Sequence, residues 1–100
     1  MSEGARIEPL GEGRLRVHGR LDAEQAGALL DALPWPAAAG PLEVDLSAVE
    51  AADSAGLALL LEWLGRARRR GVALRYRALP PGIEALARAC QVLELLPRAD

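Results

Sequence analysis

"DLSAVEAADSAGLALLLEWL", residues 45–64, compresses a strand end, a polar turn and a strongly apolar helix into a short stretch. Upstream, "LEVDLS" (42–47) alternates, which turns Leu42, Val44 and Leu46 to one side and predicts a half-buried strand. Downstream, the helix runs from Ser54 to about Arg70 and stops at Gly71, placed where a left-handed residue ends helices most cheaply. "VALRYRAL" (72–79) then alternates as another strand. A strand, helix, strand unit over 42–79 predicts a right-handed crossover joining parallel strands.

The flanks extend this pattern. "RLRVHGRL" (14–21) sets Leu15, Val17 and Leu21 against Arg14, Arg16, His18 and Arg20, as a half-buried strand does. "ARIEPL" (5–10) is a weaker strand, and "GEG" between the two suits a hairpin turn. Asp22 is placed to cap a helix over 23–33, which the prolines of "PWPAAAGP" (34–41) terminate. "PPGIEALARACQVLELLP" (80–97) starts on prolines and continues as a helix with Ile83, Leu86, Cys90 and Leu93 on one stripe. The order ββαβαβα predicts one α/β domain over residues 1–100, a four-stranded mixed sheet with helices packed mainly on one face.

Composition narrows the function classes. A chain of 100 residues with 51% apolar content holds one packed core. A formal charge of −2 offers no overall attraction to nucleic acid or anionic lipid. One cysteine excludes an internal disulfide and a cysteine-based zinc site. The charged N-terminus "MSEGARIEPL" is unlike a secretion signal, and Leu57 to Leu61 is far too short an apolar run to span a membrane. A cytoplasmic domain without cofactor or metal is expected.

With its element order, "VDLSAVEAADSAGLALLL" (44–61) resembles the STAS domain family, shared by anti-anti-sigma factors and anion-transporter tails. The residues that carry the resemblance are Asp45, Leu46 and Ser47 at the strand end, then Asp53, Ser54, Ala55, Gly56 and Leu57 opening the helix. The likeness covers roughly residues 5 to 97. Within the family it is nearest to the small MlaB-type accessory subunits of phospholipid ABC transporters, through its length, "GLALLLEWL" and the end after "LELLP". The resemblance implies a non-enzymatic protein that binds the transporter's ATPase, with its permease at the inner membrane. It would support assembly and activity in lipid trafficking without inserting into the bilayer itself. The other branch implies a phospho-switch that binds a kinase-type anti-sigma factor.

Ser54 admits three roles. It can contact a partner, cap its helix, or accept a phosphate, which a helix N-terminus welcomes through free N–H groups and the dipole. Gly56 leaves the backbone open there, while Asp53 opposes a phosphate by like charge. Asp45 and Ser47 could shape the turn through hydrogen bonds to backbone amides. "ADSAG" is not the G-x-S-x-G elbow of serine hydrolases, and His18 reads as a surface imidazole rather than a base for Ser54. An isolated nucleotide- or lipid-binding module lacks ligand groups; no glycine-rich phosphate loop with a lysine exists. Cys90 reads as a small buried hydrophobe, and "RARRR" (66–70) as solvated cations at a helix C-terminus.

At 100° per residue, Leu57, Leu60, Leu61 and Leu64 share a core face. Leu59 and Trp63 then project from the other side beside Glu62, Arg66 and Arg70, as an apolar anchor with a charged rim. The partner surface expected from this phase is Ser54, Ala55, Leu59, Glu62, Trp63 and Arg66. The competing arrangement has the final helix packing over Trp63.

Overall fold

The computed structural model describes residues 4–37 and 39–99. Their elements are β1 (Arg6–Gly11), β2 (Arg14–Leu21), α1 (Ala23–Leu30), β3 (Gly40–Ala52), α2 (Ser54–Arg70), β4 (Val72–Arg77) and α3 (Pro81–Ala89), followed by a 3-10 turn at Leu93–Leu95. The sheet order is β1-β2-β3-β4. β1 and β2 form an antiparallel hairpin, whereas β2–β3 and β3–β4 are parallel pairs joined across α1 and α2. The mixed α/β sheet expected from the sequence is therefore present.

Strand periodicity sorts the side chains. Leu15, Val17 and Leu21 of β2, Leu42, Val44 and Leu46 of β3, and Val72, Leu74 and Tyr76 of β4 are buried. The intervening positions form a polar face held by cross-strand contacts between basic and acidic side chains. Arg16 meets Asp45 at 3.1 Å, Arg77 meets Glu43 at 2.8 Å, and His18 meets Glu8 at 2.7 Å. His18 is thus engaged with a carboxylate on the polar side of its strand.

α2 is the central helix, touching α1, α3 and the sheet. Gly56 sets how closely it approaches β2: a Cβ there would overlap the Leu21 carbonyl oxygen and lie 2.8 Å from Leu21 Cβ. The buried Tyr76 hydroxyl donates to the Leu60 carbonyl at 2.6 Å, tying β4 to the same helix. Burial pushes that phenol's pKa well up. Gly71 adopts φ 71° and ends the helix, as expected.

Several boundaries differ from the sequence expectation, among them that of β4, which ends at Arg77, before Ala78 at φ 59°, rather than at residue 79. β3 is longer than 42–47 because it keeps pairing with β2 through Val49, Ala51 and Ala52, past two register shifts. α1 stops at Leu30, short of residue 33. The last helix stops at Ala89 rather than running to 97. Gln91 takes φ 60°, its N–H bonds to the Arg88 carbonyl, and the Val92 N–H reaches the Ala87 carbonyl. That is a Schellman motif closed by glutamine where glycine is the usual signal. As a consequence Cys90 is exposed, not a buried hydrophobe, and the stripe predicted through Cys90 and Leu93 does not exist.

Candidate functional site

The turn before α2 is built by Asp53, not by Ser54. The Asp53 carboxylate accepts from the Ala55 N–H at 2.9 Å and the Gly56 N–H at 3.4 Å, the N-cap arrangement. Ser54 is the first residue of the helix, exposed, with its hydroxyl outside the cap. Ala55 is half-buried beside it. A hydroxyl on the surface at the end of a rigid helix is presented rather than consumed.

Asp45 is the buried acid of the motif, 5% exposed. Its Oδ1 accepts from the Ser47 N–H at 2.8 Å and its Oδ2 pairs with Arg16. Burial pulls its pKa up, but the Ser47 bonds and the Arg16 guanidinium outweigh burial and hold the carboxyl below its ordinary value. These bonds brace the β2–β3 pairing beside its first register shift, between Arg16 and His18; they run to Ser47 and Arg16 rather than to the turn before Ser54. Asp45 and Ser47 support the scaffold one step away from the site.

The predicted docking anchors are buried. Trp63 is 0% exposed and Leu59 3%. The reason is α1, which lies along the flank of α2 that the helical phase had assigned to solvent. Trp63 Nε1 donates to the Leu30 carbonyl at 3.3 Å, and Arg66 Nη1 reaches the same oxygen at 3.3 Å and Asp31 at 2.7 Å. The covering element is thus the first helix, not the last. Leu61, assigned to the core, is only half-buried. One arc of about 160° holds Leu59, Trp63, Ala67, Leu60, Leu64 and Leu57, the wide stripe of a helix packed on two sides. The ridge Leu59–Trp63–Ala67, spaced by fours, was the signal in the sequence.

What the surface does offer is a groove of about 370 Å³ between α1 and α2. Ala26, Gly27, Leu30, Ala55, Ala58 and Leu59 line it, with Glu62 at the rim. Small residues on facing helices leave this trough, and Ala55 joins it to Ser54. Farther along the rim, Arg66 is paired with Asp31 and Glu62, and Arg70 stacks over Trp35 at 5.2 Å from the ring centroid. The expected residues Ser54, Ala55, Glu62 and Arg66 therefore share one side of α2, whereas Trp63 lies beneath it. Ala26, Gly27 and Ala58 were not foreseen, because alanine and glycine on an exposed helix carry no sequence signal.

Among the described residues no three of His, Cys, Asp and Glu converge to hold a metal ion, and no helix is long and apolar enough to cross a membrane. A family model described as "Mlab, STAS domain" matches residues 7–97. The fold is similar to the structure of the anti-sigma factor antagonist SpoIIAA in its unphosphorylated form, with a TM-score of 0.66 and 13% identity. That alignment covers 97% of this chain and 89% of the other. No sequence among curated proteins matches.

Proposed function

The chain belongs to the STAS domain family, and on that premise we propose that it is a non-enzymatic accessory subunit for the ATPase of a Mla-type phospholipid ABC transporter. It acts in the cytoplasm, held at the inner membrane through the ATPase and its permease. The observation that carries the reading is the apolar groove opening beside the exposed Ser54. An apolar side chain from a partner helix fits a trough floored by alanine and glycine, and the Ser54 hydroxyl supplies a polar contact at its mouth. Glu62 and Arg66 form the charged rim.

The test is the set of proteins that co-purify with the tagged native chain. An ABC ATPase with its permease is the expected result. Ala58→Arg then fills the groove at a residue the core does not use, because Ala58 is exposed. It should weaken the ATPase at least thirtyfold, the loss of about 2 kcal/mol typical of a blocked hot spot. Capture of the ATPase by Ala58→Arg with unchanged affinity refutes the groove as docking surface.

The second reading is a phospho-switch on a kinase-type anti-sigma factor, favoured by the exposed Ser54 and the SpoIIAA-like fold. A phosphate there would share the helix end with the Asp53 carboxylate, which already accepts from the first amides. Like charge at that point weighs toward the transporter reading. Mass spectrometry of the native chain distinguishes them, through an 80 Da increment on Ser54 for the switch.

A further inference from the structure

A second surface lies on the far flank of α2, and we propose that it takes an extended acidic peptide segment of a protein partner as an added strand on β4. This goes beyond the docking of the ATPase in the α1–α2 groove.

β4 is an edge strand, and the C-terminal tail covers only its end. Tyr76 N–H donates to the Pro97 carbonyl at 2.8 Å, and the Ala99 N–H donates to the Tyr76 carbonyl at 2.9 Å. The bridge is parallel, pairing Tyr76 with Arg98. The Tyr76 backbone groups therefore face outward, and those of Leu74, two residues earlier, face the same edge. Continuing the ladder back would require an N–H at residue 97 to meet the Leu74 carbonyl. Pro97 has none. Residues 93–95 then curl into the 3-10 turn, so the tail leaves the edge where the Leu74 groups begin. Among the described residues no backbone group outside the sheet bonds to Leu74. An open edge is a template for another chain.

Beside this edge is a cleft of about 240 Å³ with Leu64, Ala67 and Leu74 in its floor and Pro97 at one end. Arg68 on α2 and Arg75 on β4 flank it. Neither guanidinium has an ion-pair partner among the described residues, although most arginines here are paired. The three features specify one class of occupant. The free backbone groups recognise an extended strand, the apolar floor takes its inward side chains, and Arg75 recognises a carboxylate on its outer side bidentately, with Arg68 adding positive charge beside the cleft. A phosphate or a lipid headgroup would use the arginines alone and leave the edge and floor unoccupied. A strand that alternates leucine and glutamate presents leucine to the cleft and glutamate to the outer side of the sheet, where Arg75 stands.

The probe is a blocked pentapeptide, acetyl-Leu-Glu-Leu-Glu-Leu-amide, titrated into the ¹⁵N-labelled full chain and followed by amide NMR. The Leu74 N–H should shift to the position of a hydrogen-bonded amide and exchange with solvent more slowly. Arg68→Glu with Arg75→Glu should cut affinity at least tenfold, and a peptide with lysine in place of glutamate should recover binding to that double variant. Both arginines are at the surface, so the fold should survive, which the unperturbed core amides report. The proposal is overturned if the Leu74 amide does not respond, if the lysine peptide binds the wild-type chain equally well, or if inorganic phosphate displaces the peptide completely. Ala58→Arg, on the other flank, should leave peptide binding unchanged, so failure here and failure of the groove are separate results.

Discussion

Replacing Trp63 with alanine should strongly destabilise this domain, and the size of the effect follows from its surroundings. Trp63 heads the fully buried side chains, and its indole N–H reaches the Leu30 carbonyl at the end of α1. Truncating a buried tryptophan costs about 3–5 kcal/mol through lost burial and the void left behind. A domain of this size has a total stability of about 5–15 kcal/mol, so the variant keeps only part of it. With a urea slope of roughly 1–3 kcal/mol per molar, the midpoint should fall by about 1 M or more. Trp63→Phe separates the contributions. It keeps an aromatic ring and removes the N–H donor, yet the Leu30 carbonyl retains Arg66 Nη1 at 3.3 Å. Its cost should be nearer the ~1 kcal/mol of one net hydrogen bond plus a small void. Urea titration monitored by circular dichroism at 222 nm reads both. A Trp63→Ala midpoint within about 0.5 M of wild type would show that α1 does not cover this face.

Asp53→Ala should cost about 1 kcal/mol by uncapping α2, whereas Ser54→Ala should leave the thermal midpoint unchanged; equal losses in calorimetry would contradict the assignment of the cap. Gly56→Ala should destabilise by about 1–3 kcal/mol or more, because the new methyl meets Leu21 and pushes α2 off β2; a wild-type melting curve would mean that the helix can slide. Stability should also fall on acidification. His18 holds Glu8, Arg77 holds Glu43, and the Ser47 bonds with Arg16 overcome burial at Asp45, so all three carboxyls have lowered pKa values. Their contribution is complete above the ordinary carboxylate range and is lost as pH drops through the lowered folded values. The urea midpoint measured at successive pH values should decline below about pH 4, and Asp45→Asn should flatten that decline; a midpoint that rises on acidification refutes it.

The sequence revealed strands through two-residue alternation and α2 through its length and Gly71, since each signal depends on local chemistry alone. It failed where a neighbour decides. Leu59 and Trp63 were assigned to solvent because a single helix on a sheet needs one covered face, and α2 has a helix on each flank. The end of α3 was missed because Gln91 holds the left-handed conformation that glycine usually announces. The groove stayed invisible for a related reason: Ala26, Gly27 and Ala58 matter by what they leave empty, and absence of bulk has no periodicity. Ser54 was legible as a position, but only the folded turn separates its hydroxyl from the cap that Asp53 makes.

The strand order β1-β2-β3-β4 has a consequence for how the chain assembles. Each strand pairs with the one made just before it, so the sheet grows by accretion at one border and no strand has to wedge between two already zipped. A nascent chain leaving the ribosome can dock its segments in the order of their synthesis, each closing a loop only one helix or turn long. The last closure is no longer than the others: α3 and the segment after it must come back before Tyr76 is latched. Docking of residues 97–99 on Tyr76 is therefore the last of these contacts to form in chain order.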